Sequence, residues 1–232
     1  MRPFVPSQRG FHFDNAFPHG PAITIDLGVS TLPMGDAANG LCGGMVFAAL
    51  DYWTADRPPP PDTAPPAHGT PLFCYLVRRL IDSWGLPTGP ATYLRLMQPW
   101  YPDGDRQIGP VKVHGRAWRT AVREWRSVRA DLDAGRPSPL GLVKVSSANP
   151  VDLGKNHQVL AYGYDLVDTA VTLRVYDPNQ ADNDTVIISF DAADPAAPIP
   201  FVMTPDVSAA AGVLCFFRVR YRPKSPPASA RR

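Results

Sequence analysis

The sequence predicts an α+β domain in which an N-terminal helical part packs on a mostly antiparallel β-sheet. Three observations predict it. Apolar residues recur at helical spacing as far as about Ala134, and short β-branched and aromatic runs take over after it. The two patterns are segregated along the chain, which argues against alternating βαβ units. At 44% hydrophobic and 10% aromatic, the 232 residues carry enough apolar material for one real core.

Three helices are expected. From Cys42 to Trp53, CGGMVFAALDYW places Met45, Ala49, Leu50 and Trp53 at helical spacing after a loop rich in Gly and Asn. From Pro71 to Trp84, Phe73, Leu76, Val77, Leu80 and Trp84 share a face, and Pro71 suits the first turn. From Gly115 to Ala134, Trp118, Val122 and Trp125 form the apolar face, and Gly135-Arg-Pro137 stops the helix. Arg116, Arg119, Arg123 and Arg126 then align on the other side, as the solvated face of an amphipathic helix.

Five strands follow, over Leu140–Val145, His157–Tyr164, Val171–Asp177, Thr185–Phe190 and Val213–Tyr221. The prolines cluster in two places. RPPPPDTAPP, residues 57–66, reads as a loop inside the domain, because both flanks supply elements of one core; RPKSPPASARR reads as a disordered tail. The expected organisation is therefore one domain over 1–222 with a tail over 223–232.

Composition narrows the function. A formal charge of +2 is too balanced to attract nucleic acid by field alone, and no apolar run approaches the ~20 residues of a membrane span. No basic start followed by an apolar stretch marks a secretory signal, and the three cysteines are an odd, scattered set, so the expectation is a cytoplasmic protein without a disulfide framework. Export that needs no such signal stays open. The five histidines show no metal-ligand spacing, and no Gly-rich phosphate loop with its Lys occurs, so neither metal nor cofactor is expected. Oligomeric state is not legible.

Within this frame Cys42 stands out. GLCGGM opens a helix, where unpaired backbone N–H groups and the helix dipole favour a thiolate, and the flanking glycines leave room for an approaching carbonyl. Cys74 and Cys215 lie inside apolar segments and read as inert core residues. His157 opens the strand HQVLAYGYD after the polar stretch SSANPVDLGKN, and on a period of two shares a face with Val159, Ala161 and Gly163 at one end of the sheet.

The third member follows from pairing. The strands beginning at His157 and ending at Asp177 are joined by a short connection, LVDTA, and centring a hairpin on Val167 sets His157 opposite Asp177. There a carboxylate can hold the imidazole in one orientation. The phrase DPN is also ordinary turn chemistry, and Asn179 is the competing orienter.

GLCGGM, AGRPSPLGLVKV, NHQVLAYGYD and LRVYDPNQ, in that order, resemble the papain-like cysteine peptidase superfamily, particularly bacterial peptidases of the bacteriocin-processing type and their uncharacterised relatives. The resemblance spans Gly40 to Gln180 and about thirty residues carry it. It implies a papain-like fold and a Cys42–His157–Asp177 triad acting on a peptide or protein substrate. One position departs from the family. Where a Gln six residues before the nucleophile commonly donates to the oxyanion, this chain has Asp36, which accepts hydrogen bonds but does not donate them; the nearest earlier Gln is Gln8. Asn39 is the remaining oxyanion candidate, beside the backbone N–H of Cys42.

The expected activity is a cysteine-dependent hydrolase or acyl transferase acting on a peptide or amide bond. Transglutaminase- or deamidase-like chemistry fits the same residues. A catalytically silent papain-like binding module is the alternative that Asp36 keeps open.

Overall fold

The computed structural model describes residues 3–18, 21–26, 31–36, 40–199, 201–204 and 212–227, with the backbone alone over 21–26 and 31–36. A short helix α1, Pro6–Arg9, precedes a hairpin of β1, Pro21–Asp26, and β2, Thr31–Asp36. Three helices follow: α2, Cys42–Thr54; α3, Pro71–Trp84; and α4, Thr88–Leu96. A small hairpin of β3, Arg106–Ile108, and β4, Val111–Val113, leads to a long helical stretch. That stretch runs as α5, Arg116–Trp118, a π-helical segment, Arg119–Glu124, and α6, Trp125–Asp133.

The remaining strands are β5, Ser138–Val143; β6, His157–Val167; β7, Ala170–Tyr176; β8, Ile187–Asp191; β9, Val202–Thr204; and β10, Cys215–Arg218. They form one antiparallel sheet in the order β10-β5-β6-β7-β8-β9. A bridge between Phe201 and Val213 joins the approaches to the two edge strands, so the sheet curls towards closure. The architecture is thus α+β, helices packed on a curled antiparallel sheet.

Side-chain alternation divides the interior in two. Leu140, Leu142, Val159, Ala161, Leu173, Val175, Ile188 and Phe216 fill the inside of the curl, closed by Ala121, Trp125 and Val128. Their neighbours Val143, Leu160, Tyr176, Cys215 and Phe217 point the other way, into a core shared with α2, α3, α4 and four N-terminal phenylalanines, Phe4, Phe11, Phe13 and Phe17. Every residue of α2 from Gly43 to Trp53 is buried, which is the signature of a central helix.

Several expectations meet local physics that changes them. α3 begins and ends where the sequence places it, with Thr70 capping the Phe73 amide and Gly85 in the left-handed region at φ 52°. α4 has no counterpart among the expected helices; Pro90 sits in its first turn, where it forgoes no intrahelical hydrogen bond. The single helix expected over Gly115–Ala134 carries a π segment, and its buried face is Ala117, Thr120, Ala121, Glu124, Trp125 and Val128. Arg116 is therefore not solvated. It is 3% exposed and donates to the carbonyls of Leu96, Gln98 and Tyr101, ending α4 with its guanidinium.

Part of the expected tail lies among the described residues. Where disorder is expected from 223, residues 223–227 are held: Lys224 N donates to Asp51, and the carbonyls of Pro226 and Pro227 accept from Arg57. Arg57 opens the Pro-rich loop, so that loop and the tail are tied to each other. Among the described residues no helix is long and apolar enough to cross a membrane.

Candidate active site

α2 begins at Cys42, which is half-exposed, while Gly43 and Gly44 behind it are buried. The glycines serve packing rather than access. A Cβ at Gly44 would run into the backbone carbonyl of Leu76 on α3, and one at Gly43 into Ser83 Oγ and the Gln158 amide. They let the first turn of α2 sit directly on α3 and β6. The N-cap, Leu41, makes no side-chain cap; its own N–H donates to Asn15 Oδ1 at 2.5 Å. Helix geometry leaves the first N–H groups of α2 without intrahelical acceptors at the position of the thiol.

His157 opens β6 and pairs with Leu142 of β5. Its Nε2 lies 2.6 Å from Asp177 Oδ1, with side chains 9% and 5% exposed, so the contact is shielded from water. Cys42 is near enough to the same ring to favour its charged form. Since Nε2 is committed to Asp177, Nδ1 is the nitrogen left for the thiol. The three sequence-selected residues therefore meet around one imidazole.

The register that brings them together is not the expected one. The turn is Asp168-Thr169, with Asp168 at φ 52°, and a bulge lies between Ala161 and Gly163, so Leu160 pairs with Tyr176. Extended past the strand end, that register sets Asp177 beside Val159. The carboxylate reaches His157 diagonally on the same face, a separation that side chains span. Asp177 is also the turn residue it resembles: Oδ1 accepts from Asn179 N at 2.9 Å, and its carbonyl accepts from Gln180 N. Asn179 turns elsewhere, its Oδ1 accepting from Asn15 Nδ2 at 3.0 Å.

Burial opposes a charged imidazole, yet the charges of Asp177 and Cys42 and hydrogen bonds to both outweigh it, and His157 is raised to about 10. Burial likewise pushes Asp177 up, but the facing imidazolium, its hydrogen bond, the Asn179 amide and the Gln180 side chain hold the carboxyl below its ordinary value. The pair is therefore ionic. As an imidazolium, His157 donates through Nε2 to the carboxylate and presents a second N–H on its other side.

Two neighbours escaped the sequence reading. Tyr93 of α4 donates its hydroxyl to the His157 carbonyl at 3.0 Å, and burial, then the neighbouring Cys42, raise that phenol well above its ordinary value. Gln158, on the opposite face of β6 from His157, donates to Ser83 Oγ at 3.3 Å beneath Gly43. Both bind the start of β6 to the helices. Neither carries a sequence signal beyond an apolar run and strand alternation.

Asn39 lies outside the described residues. Asp36 ends β2, paired with Pro21, and its side chain is likewise outside the description. Of the reference thiols, Cys215 is buried and pushed up to about 12 by that burial, as a core residue should be. Cys74 is half-exposed rather than a core residue, because it lies at the margin of α3. Comparison with protein-family models, curated proteins and solved structures finds no match to this chain.

Proposed function

We propose that this protein is a cysteine-dependent hydrolase or acyl transferase of papain-like type, acting on a peptide or amide carbonyl. The observation that carries the reading is a single imidazole held between a buried carboxylate and a thiol at a helix start. Each part has a chemical task. With the proton already held on His157, the sulfur of Cys42 attacks the substrate carbonyl to form a C–S bond and an oxyanion. Collapse of that intermediate expels the amine, which leaves with the proton held by His157. Water or an amine then attacks the thioester with His157 as base, and the sulfur of Cys42 leaves with its bonding electrons as the C–S bond breaks, the proton staying on His157. Throughout, Asp177 keeps the ring oriented and its positive form favoured.

The order Cys, His, Asp, the helix-borne thiol and the His-led antiparallel strand all support the papain-like assignment. For the oxyanion, the first turn of α2 offers the backbone N–H of Cys42, which helix geometry leaves without an intrahelical acceptor. Hydrolysis, transfer and deamidation differ only in which group attacks or leaves, so the residues accommodate all three.

The test is alkylation of the native protein by iodoacetamide, with each cysteine quantified by mass spectrometry. At about pH 6.5, two units below the free-thiol pKa of about 8.5, Cys42 should label at least ~10-fold faster than half-exposed Cys74, and the advantage should vanish in His157→Ala. Equal labelling of Cys42 and Cys74, indifferent to His157, would sink the catalytic reading and leave a binding module.

A further inference from the structure

We propose that Asn15 is a positioning residue of this site, whose amide locks the loop that presents Cys42 to the turn that presents Asp177. The inference rests on the catalytic reading above. Asn15 comes from an N-terminal segment with no chemistry of its own, yet its side chain meets both halves of the site. Oδ1 accepts from Leu41 N at 2.5 Å, one residue before the thiol. Nδ2 donates to Asn179 Oδ1 at 3.0 Å, and Asn179 N in turn donates to Asp177 Oδ1 at 2.9 Å. The chain of contacts therefore runs from the start of α2 to the carboxylate that holds His157.

Backbone contacts fasten Asn15 on the sheet side. Its N–H donates to Pro178 O at 2.9 Å, and the preceding Asp14 accepts from Ala181 N at 2.7 Å. On the helix side, Gly40 sits at φ +87°, and a Cβ there would run into Asn15 Nδ2. Gly40 thus serves twice: it adopts a left-handed conformation that other residues resist, and it leaves the space the amide occupies.

Only a side chain that accepts at one atom and donates at another fills this place. Aspartate keeps the acceptor for Leu41 but loses the donor to Asn179; alanine loses both; glutamine carries an extra methylene into space bounded by Gly40. Since a displacement of about 1 Å between reacting groups can cost ~10²-fold in rate, the lock is placed where small shifts matter.

The experiment measures iodoacetamide labelling of Cys42 across pH in wild type, Asn15→Ala, Asn15→Asp and Asn179→Ala, with Cys74 labelling and the thermal midpoint recorded for each. In Asn15→Ala the Cys42 rate at about pH 6.5 should fall ~10- to 100-fold, and its pH profile should move to that of His157→Ala while Cys74 is unchanged. Asn15→Asp should lose less than Asn15→Ala. Asn179→Ala removes the far end of the same hydrogen bond and should reproduce part of the loss even if Asn15→Ala folds poorly. A lowered midpoint with a wild-type pH profile in the folded variants overturns the proposal and leaves Asn15 a structural residue. Should wild-type Cys42 itself show no dependence on His157, the catalytic reading fails first and the positioning role falls with it.

Discussion

At the N-terminal end of α2, Asp177 holds His157 at 2.6 Å; at its C-terminal end, Asp51 holds Arg79 at 2.7 Å. Both pairs are buried, and both carboxylates face a cation. The difference lies in what else each carboxylate does. Asp51 also accepts from Tyr75 and Tyr221 hydroxyls at 2.6 and 2.7 Å and from Lys224 N at 2.8 Å, and Arg79 additionally binds Asp82 and the Arg222 carbonyl. Its cation cannot give up a proton, so the cluster only fastens α2, α3 and the tail. The Asp177 pair uses an imidazole, which can exchange a proton with the thiol on its other side. Burial thus gives a lock at one end and, on the proposed reading, a proton-transfer pair at the other.

The comparison breaks most sharply at Arg79. Arg79→Ala leaves Asp51 buried without its cation and should lower the unfolding free energy by about 3–5 kcal/mol in urea melts. A loss under about 1 kcal/mol would mean that the tyrosines and the tail amide suffice. Titration separates the two ends further. His157 is raised from 6.5 to about 10, so its contribution to stability is complete below about pH 6.5 and is lost as pH rises through about 10. The stability gap between wild type and His157→Gln should therefore shrink over that window, whereas the gap to Arg79→Ala should stay level, because a guanidinium keeps its proton there.

At the His157 end, Asp177→Asn should keep the fold but remove the charge that favours the imidazolium, lowering Cys42 labelling at about pH 6.5 by ~10- to 100-fold. Labelling at the wild-type rate would assign the orienting role elsewhere. The smallest expected change is at Tyr75→Phe, where Asp51 loses one of several donors; about 1.5 kcal/mol in the same urea melts is expected, with Cys42 labelling untouched. An altered labelling rate there would show that the two ends of α2 communicate.

Much of the frame was legible from local pattern. Helical spacing located α2 and α3, and short β-branched and aromatic runs located β5 to β8 and β10, because both signals are local to one element. The long helix was harder: its buried face runs through Ala117, Thr120, Ala121, Glu124 and Val128 rather than Trp118 and Val122, so Arg116 looked solvated although it is buried. At the site, Cys42 and His157 were legible because each opens an element after a polar loop. Asp177 was reached by assuming a hairpin centre that proved displaced, and the contact survived because neighbouring diagonal positions on one face remain within reach.

What the sequence by itself determined was the kind and order of elements, the helix start at Cys42, the strand start at His157 and the short connection that returns the chain to Asp177. These depend on residues within one or two elements, and short-range geometry constrains them tightly. Only the tertiary structure decided that Asn15, 164 residues from Asn179, would join the two halves of the site, that Tyr93 would hold the His157 carbonyl, and that Asp51 would meet Arg79. A polar side chain acquires a role from the surface it is folded against, and which surfaces meet is settled by the packing of the two cores around β5, β6 and β10.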